Sequence, residues 1–209
     1  MNLLPVTEGE RVRNTFNGET FIFTHVSEEA EVVQFDVYLE PGGMLIGTGM
    51  QHVHPRADEE FTVISGKLAV VVDGAPRMLE PGQSLNVVRG TPHYFRNGHE
   101  GETLLTVRFS PGLQFLRFFL NMSLGTANHP EWYNDRGEPP FLLRALTLHA
   151  YAGHGYAAGI PMWVQQALFA ALSPVALLKG YRLSFPPPVR GISSTRGAYL
   201  DPSLRWRAA

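Results

Sequence analysis

The stretch MQHVHPRADEEF, Met50 to Phe61, sets two histidines two residues apart and an acidic pair just downstream. In an extended strand alternate side chains share a face, so His52 and His54 point the same way, with Cα atoms about 7 Å apart. Two imidazoles at that separation can converge on one ion. Glu59 opens the next strand, where Glu59, Phe61 and Val63 take one face and Glu60, Thr62 and Ile64 the other. Only one glutamate of the pair can then face the histidines. Glu59 is the choice, and only a bulge at Asp58 to Glu60 would reverse it. A later segment, NVVRGTPHYFRN (86–97), adds His93 on a strand whose same face carries Phe95 and Asn97.

A lone histidine is more often a hydrogen-bonded side chain than a ligand, and an acidic run is more often a solvated surface. Here a period-two histidine pair, a glutamate at a strand entry and a third histidine after a Gly-x-Pro turn occur together, and the set reads as a metal shell of His52, His54, Glu59 and His93.

Outward from this segment, ETFIFTHV, EVVQFDVYL, FTVISGKLAVVVDG and ETLLTVRFS are rich in β-branched and aromatic residues, with Gly, Pro, Asp or Asn about every ten residues. That spacing predicts a mainly β fold, an antiparallel sandwich or barrel, over residues 1–111. Past Pro111 the pattern changes. LQFLRFFLNMSL, PPFLLRALTLHAYA and PMWVQQALFAALSPVALLKGY carry apolar residues at helical spacing, which predicts a helical extension over 112–182. The rest, 183–209, is rich in Pro, Ser and Arg and reads as extended or partly disordered. The last helical stretch is interrupted by Gln165, Gln166, Ser173 and Pro174, too often for a membrane span of about 20 apolar residues. It is apolar on more than one face: Trp163, Ala167, Ala170 and Pro174 form one stripe and Leu168, Leu172 and Val175 another. The expectation is a soluble helical unit packed on the β fold, away from the metal.

Composition narrows the chemistry. The 209 residues are 44% hydrophobic, enough for a sizeable core, and the net charge of −2 with scattered Lys and Arg argues against a nucleic-acid partner. With no cysteine, disulfides, thiolate ligands and cysteine nucleophiles are excluded, so any metal is held by nitrogen and oxygen. The N-terminus has no apolar segment of secretory length, and a cytoplasmic location is expected. His25, His99, His129, His149 and His154 lack partners at ligand spacing and are assigned packing or surface roles. Ser65 and Ser110 have no neighbouring His/Asp arrangement, and the glycines of GTGMQ and GHGYAAG lack the strand-to-helix context of a phosphate loop.

Gly47, four residues, His52, Val53, His54, four residues, Glu59, six residues and Gly66 resembles the first motif of the cupins, the small conserved-barrel kind. Gly82, five residues, Val88, Arg89, Gly90, His93 and Asn97 resembles the second, with Val88 where the motif has proline. The resemblance spans roughly residues 20 to 110. It implies a double-stranded β-helix, or jelly-roll, barrel with one ion inside, here followed by a C-terminal helical extension. Dimers are common in the family, so a homodimer is expected.

Imidazole and carboxylate ligands suit Fe, Mn, Ni, Co or Zn as a divalent ion, and an ion that prefers six ligands keeps two positions for a small oxygenated molecule or O₂. Met50, Phe61, Val63 and Phe95 are expected to line the pocket, while Glu60, Tyr94 and Arg96 point away. The functional expectation is a metal-dependent dioxygenase or, less favoured, an isomerase. The alternative is a non-catalytic module that binds or senses a small ligand.

Overall fold

The computed structural model describes residues 9, 11–13, 19–25, 32–41, 50–135 and 137–187. Gly47 and the tail beyond Pro187, including most of the segment expected to be extended, lie outside the described residues.

Two antiparallel sheets enclose the core. The first runs β1 (Arg11–Arg13), β2 (Thr20–His25), β3 (Val33–Leu39), β10 (Thr103–Ser110), β5 (Asp58–Ser65) and β8 (Ser84–Val87). The second runs β11 (Tyr156–Ala157), β4 (His52–Val53), β9 (His93–Asn97), β6 (Leu68–Val72) and β7 (Ala75–Leu79). Alternation in sequence becomes alternation in burial: Val33, Phe35, Val37 and Leu39 of β3 are buried and the residues between them half-exposed. Phe21, Phe35 and Phe61 from the first sheet join Leu68, Val70 and Phe95 from the second in one apolar cluster. This two-sheet arrangement fits the expected jelly-roll.

Two motif residues hold the sheets in register. Asn97, buried at the end of β9, donates from Nδ2 to the carbonyls of Leu39, Glu40 and Gly101 at 2.9, 3.0 and 2.8 Å, and accepts from the amide of His99 at 2.8 Å. It thereby ties the second sheet to the end of β3 in the first. Gly66, in the β5–β6 turn, has φ of +77°, and a Cβ there would lie 2.5 Å from Thr103 Oγ1 and 2.7 Å from the Glu102 carbonyl. Only glycine fits both the backbone angle and the space.

Three helices follow: α1 (Phe115–Asn128), α2 (Phe141–Ala150) and α3 (Met162–Leu178). Helix α1 belongs to the same core as the sheets, with Phe115 stacked on Phe109 at 3.9 Å and Phe119 packed 4.9 Å from Phe35. Helix α3 packs on α2 in an unexpected orientation. Its buried stripe is Gln165, Phe169, Ser173 and Ala176, while Trp163 is 72% exposed and Leu178 88% exposed. The sequence marked Gln165 and Ser173 only as interruptions. Buried, they satisfy backbone groups: Gln165 bonds Ala157 N–H and the carbonyls of Ala157 and Ile160 at 2.9–3.0 Å, and Ser173 donates to the Phe169 carbonyl at 2.7 Å. Gln165 thus occupies the free edge of β11 as a neighbouring strand would. No helix among the described residues is long and apolar enough to cross a membrane.

Gly66→Ala should destabilise the chain by about 1–3 kcal/mol from backbone strain alone. A urea midpoint equal to that of the parent would show that the β5–β6 turn relaxes freely.

Candidate metal centre

The four residues singled out in the sequence come together from both sheets. Strand β4 presents His52, with His54 one residue beyond its end, and His93 opens β9 directly opposite His52. Glu59 reaches them from β5 in the other sheet. One ligand atom from each of the four lies within 4.8 Å of all the others. Glu59 Oε2 is 2.7 Å from His93 Nε2 and 3.2 Å from His54 Nε2, with Glu59 and His93 each 1% exposed. Strand β5 keeps regular register through Glu59 and Glu60, so Glu60 lies on the opposite, half-exposed face. No bulge intervenes there.

Each imidazole is oriented by its second nitrogen. Nδ1 of His52 lies 3.3 Å from the Met50 carbonyl and Nδ1 of His93 lies 2.9 Å from the Thr91 carbonyl, while Nδ1 of His54 bonds the carbonyl of His154. A carbonyl only accepts, so each Nδ1 carries a proton, and Nε2 is the nitrogen left for the cluster: in His93 it donates to Glu59 Oε2, and once that proton leaves it offers a lone pair. Carbonyl partners of this kind hold metal-binding imidazoles in the required tautomer. The other carboxylate oxygen, Glu59 Oε1, is buried with no hydrogen-bond partner among the described residues. An acceptor so placed calls for a donor or a positive group, and a cation between the four side chains would provide it. The donor set therefore fits a divalent ion.

The electrostatics follow from this packing. Burial alone would raise the carboxyl of Glu59, but His54 and His93 outweigh it and hold the group below the usual carboxylate range. Burial likewise lowers His93, yet its bond to Glu59 prevails and raises it above 6.5. Burial and the adjacent imidazoles of His54 and His93 push His52 down to about 3.

The turn before His93 is anchored separately. Arg89 donates from its backbone and Nε to Asp58 Oδ1, both at 2.9 Å, and the Gly90 amide donates to the His54 carbonyl at 2.9 Å. Val88, where the motif has proline, is compatible with this turn, since the Thr91 amide closes it on the Val88 carbonyl at 3.1 Å.

A cavity of about 260 Å³ opens beside His52 and His54. Met50 and Phe95 border it. Phe61 and Val63 instead lie 0% and 1% exposed in the core, because β5 is an internal strand whose inward face the second sheet covers. Tyr94, expected to point away, also contributes to the wall. The larger correction concerns the helices. Rather than packing away from the cluster, α1, α2 and α3 supply Phe118, Arg144, Thr147 and Phe169 to the same cavity. Phe115 sets its ring edge-on to His54 at 5.3 Å.

His154, assigned only packing from the sequence, orients His54 through its carbonyl. Its own ring is held by the Tyr151 carbonyl at 3.0 Å and the Gln114 amide at 3.2 Å, and burial lowers it to about 4. The glycines flanking it, Gly153 and Gly155, marked a tight turn, but nothing in the sequence pointed that turn at His54.

Residues 35–108 match the cupin domain family. An uncharacterised protein of Aquifex aeolicus (strain VF5) is 29% identical over 86 residues, 41% of this chain and 65% of that protein. Quercetin 2,3-dioxygenase of Bacillus subtilis (strain 168) is 27% identical over 84 residues, 40% of this chain and 25% of the enzyme. The chain thus spans less than two thirds of either relative. Among solved structures, KdgF from a Halomonas species is similar with a TM-score of 0.43 at 22% identity, over 50% of this chain and 91% of that one. The family match covers the strands that carry His52, His54, Glu59 and His93, and this part of the chain is similar to a cupin domain.

Proposed function

We propose that His52, His54, Glu59 and His93 hold one divalent metal ion, and that the chain acts on a small oxygenated molecule bound in the adjoining cavity. The observation that carries this reading is the set of three Nδ1 contacts to backbone carbonyls, which leaves the three Nε2 atoms for a cluster gathered around one buried carboxylate. When bound, the ion supplies Lewis acidity and, for a redox-active metal, one-electron chemistry beside the ligand's oxygens. The protein supplies the rest: Phe95, Phe118 and Phe169 exclude water and pack the ligand's body, and Met50 borders the entrance, 50% exposed.

Within this proposal the reaction is a dioxygenation. Isomerisation needs a base to move a proton, and the described residues of the cavity wall include no carboxylate, which favours oxygen chemistry at a redox metal. The partial likeness to a quercetin dioxygenase supports the same choice. The second reading, a non-catalytic ligand-binding module, draws on that same absence. Oxygen uptake by the Fe-, Mn-, Co- or Ni-loaded chain with catechols, flavonols and β-diketones separates the two. Uptake with any of them supports the enzyme, and tight binding without uptake supports the binding module. A homodimer belongs to this reading, and a monomer at micromolar concentration in sedimentation velocity would count against it.

Replacing His52 or His93 with Ala should lower bound metal at least about tenfold, the scale on which even partners outside the ligand shell act. Elemental analysis that finds full metal content in both variants would refute the centre. Glu59→Gln should lose metal and Glu60→Gln keep it, and the reverse result would place the ligand on the other face of β5.

Metal affinity should also depend on pH. The bond to Glu59 raises His93 against the effect of burial, so the metal-free chain keeps a proton there to higher pH than a free imidazole, and the ion must displace it. Affinity should therefore fall as pH is lowered through this range, by about tenfold per unit for each proton released. His52, lowered to about 3, adds nothing to that slope. Titration with Zn²⁺ in buffers of different ionisation enthalpy counts the protons, and zero release would contradict a proton shared between His93 Nε2 and Glu59 in the metal-free chain.

A further inference from the structure

The cavity wall is mostly apolar and aromatic, and beyond the histidine cluster Arg144 of α2 is its one charged side chain among the described residues. The other polar groups there are largely engaged. Thr147 Oγ1 donates to the Leu143 carbonyl at 3.0 Å, Gln165 is committed to the backbone around β11, and the Tyr156 hydroxyl accepts from Gly153 N–H and Gln166 Nε2, both at 3.0 Å. Arg144 is half-buried and has no ion-pair partner among the described residues.

A second observation, independent of the cavity, bears on the same residue. Between Glu138 and Asp201 the sequence contains no aspartate or glutamate, so α2, α3 and the segments around them carry only positive charge. Helices α1, α2 and α3 contain no aspartate or glutamate to neutralise Arg144. A guanidinium beside apolar surface is costly unless it meets water or an anion, and the low local dielectric strengthens its bond to an anion that excludes the water.

We infer that the ligand is an organic acid: its apolar or aromatic body fills the cavity, its oxygens lie toward the histidine cluster, and Arg144 receives its carboxylate. This rests on the metal-centre reading, in which one Glu59 charge leaves a divalent ion net positive and the cavity doubly favourable to an anion. The planar fork of Arg144 matches a carboxylate in two parallel hydrogen bonds, which a lysine could not provide. A polyhydroxylated neutral sugar is a poor match, because most of its hydroxyls would face phenylalanine, methionine and leucine.

The test uses the full-length chain loaded with Zn²⁺, which is redox-inert, and calorimetric binding of three probes: 3,4-dihydroxybenzoate, its neutral amide 3,4-dihydroxybenzamide, and catechol. The acid should bind about tenfold more tightly than the amide, the scale of one charge-assisted contact. Arg144→Gln should bring that ratio to about one, and Arg144→Lys should restore part of it. Zinc content, measured for each variant, reports whether the site is still assembled. Equal binding of acid and amide to the parent chain, or a preference that survives Arg144→Gln, overturns the role of Arg144 and leaves the metal centre standing. Failure of all three probes to bind in a zinc-dependent way overturns the metal-centre reading and this inference with it.

Discussion

A carboxylate buried between two sheets is the constraint around which this structure is arranged. Glu59 leaves the first sheet and meets His54 and His93 of the second, with an ionised group 1% exposed. An isolated charge at such a site is costly by several kcal/mol, so both sheets must be in place before it becomes tolerable. Register is therefore under tight control. Strand β5 is flanked on both sides, with Glu59 opposite Val87 and Phe109, and a slip of one residue would bury Glu60 and expose Glu59. The Arg89–Asp58 pair, the Asn97 bonds to β3 and the Gly66 turn lie on the segments that set this register.

The helices are part of the same arrangement. The carbonyl of His154 fixes the tautomer of His54, Phe115 packs on its ring, and Gln165 secures β11, whose Ala157 pairs with His52. Occupation of the cluster and docking of the helices are thereby linked: whatever stabilises the oriented imidazoles also stabilises residues 115–165 on the sheets, by mass action. The linkage runs both ways, since loosening α3 would free β11 and with it the edge of β4.

The cavity these helices close is narrow in its chemistry. Thr147 and Gln165 on its wall are committed to the backbone, so under the proposed function shape and apolar contact would position a ligand, and discrimination would fall to few groups, the histidine cluster and Arg144. Such a wall distinguishes ligands poorly by a methylene but strongly by charge.

How much of this was legible in the chain depends on the range of the interaction. Strand alternation and turn residues act over a few positions, which is why β3, β5, β9 and β10 could be read from VQFDVYL, DEEFTVIS, HYFRN and TLLTVRFS. His52, His54 and Glu59 share one local segment, and the period-two rule left room for only one of Glu59 and Glu60 on their face, with Glu59 the choice; His93 followed from a second motif. The helical side was different. Its helices were evident from apolar spacing, but spacing does not say what a helix packs against. The carbonyl of His154 meets His54 across 100 positions, and Arg144 shares a cavity with residues far away in sequence. The buried stripe of α3 likewise contains Gln165 and Ser173, because backbone groups waiting there outweigh the apolar alternatives on its other faces. The sequence by itself determined the β architecture and the four clustered residues, since local periodicity encodes both. Only the tertiary structure decided that the helices wall the cavity, because that contact depends on where distant segments fold back.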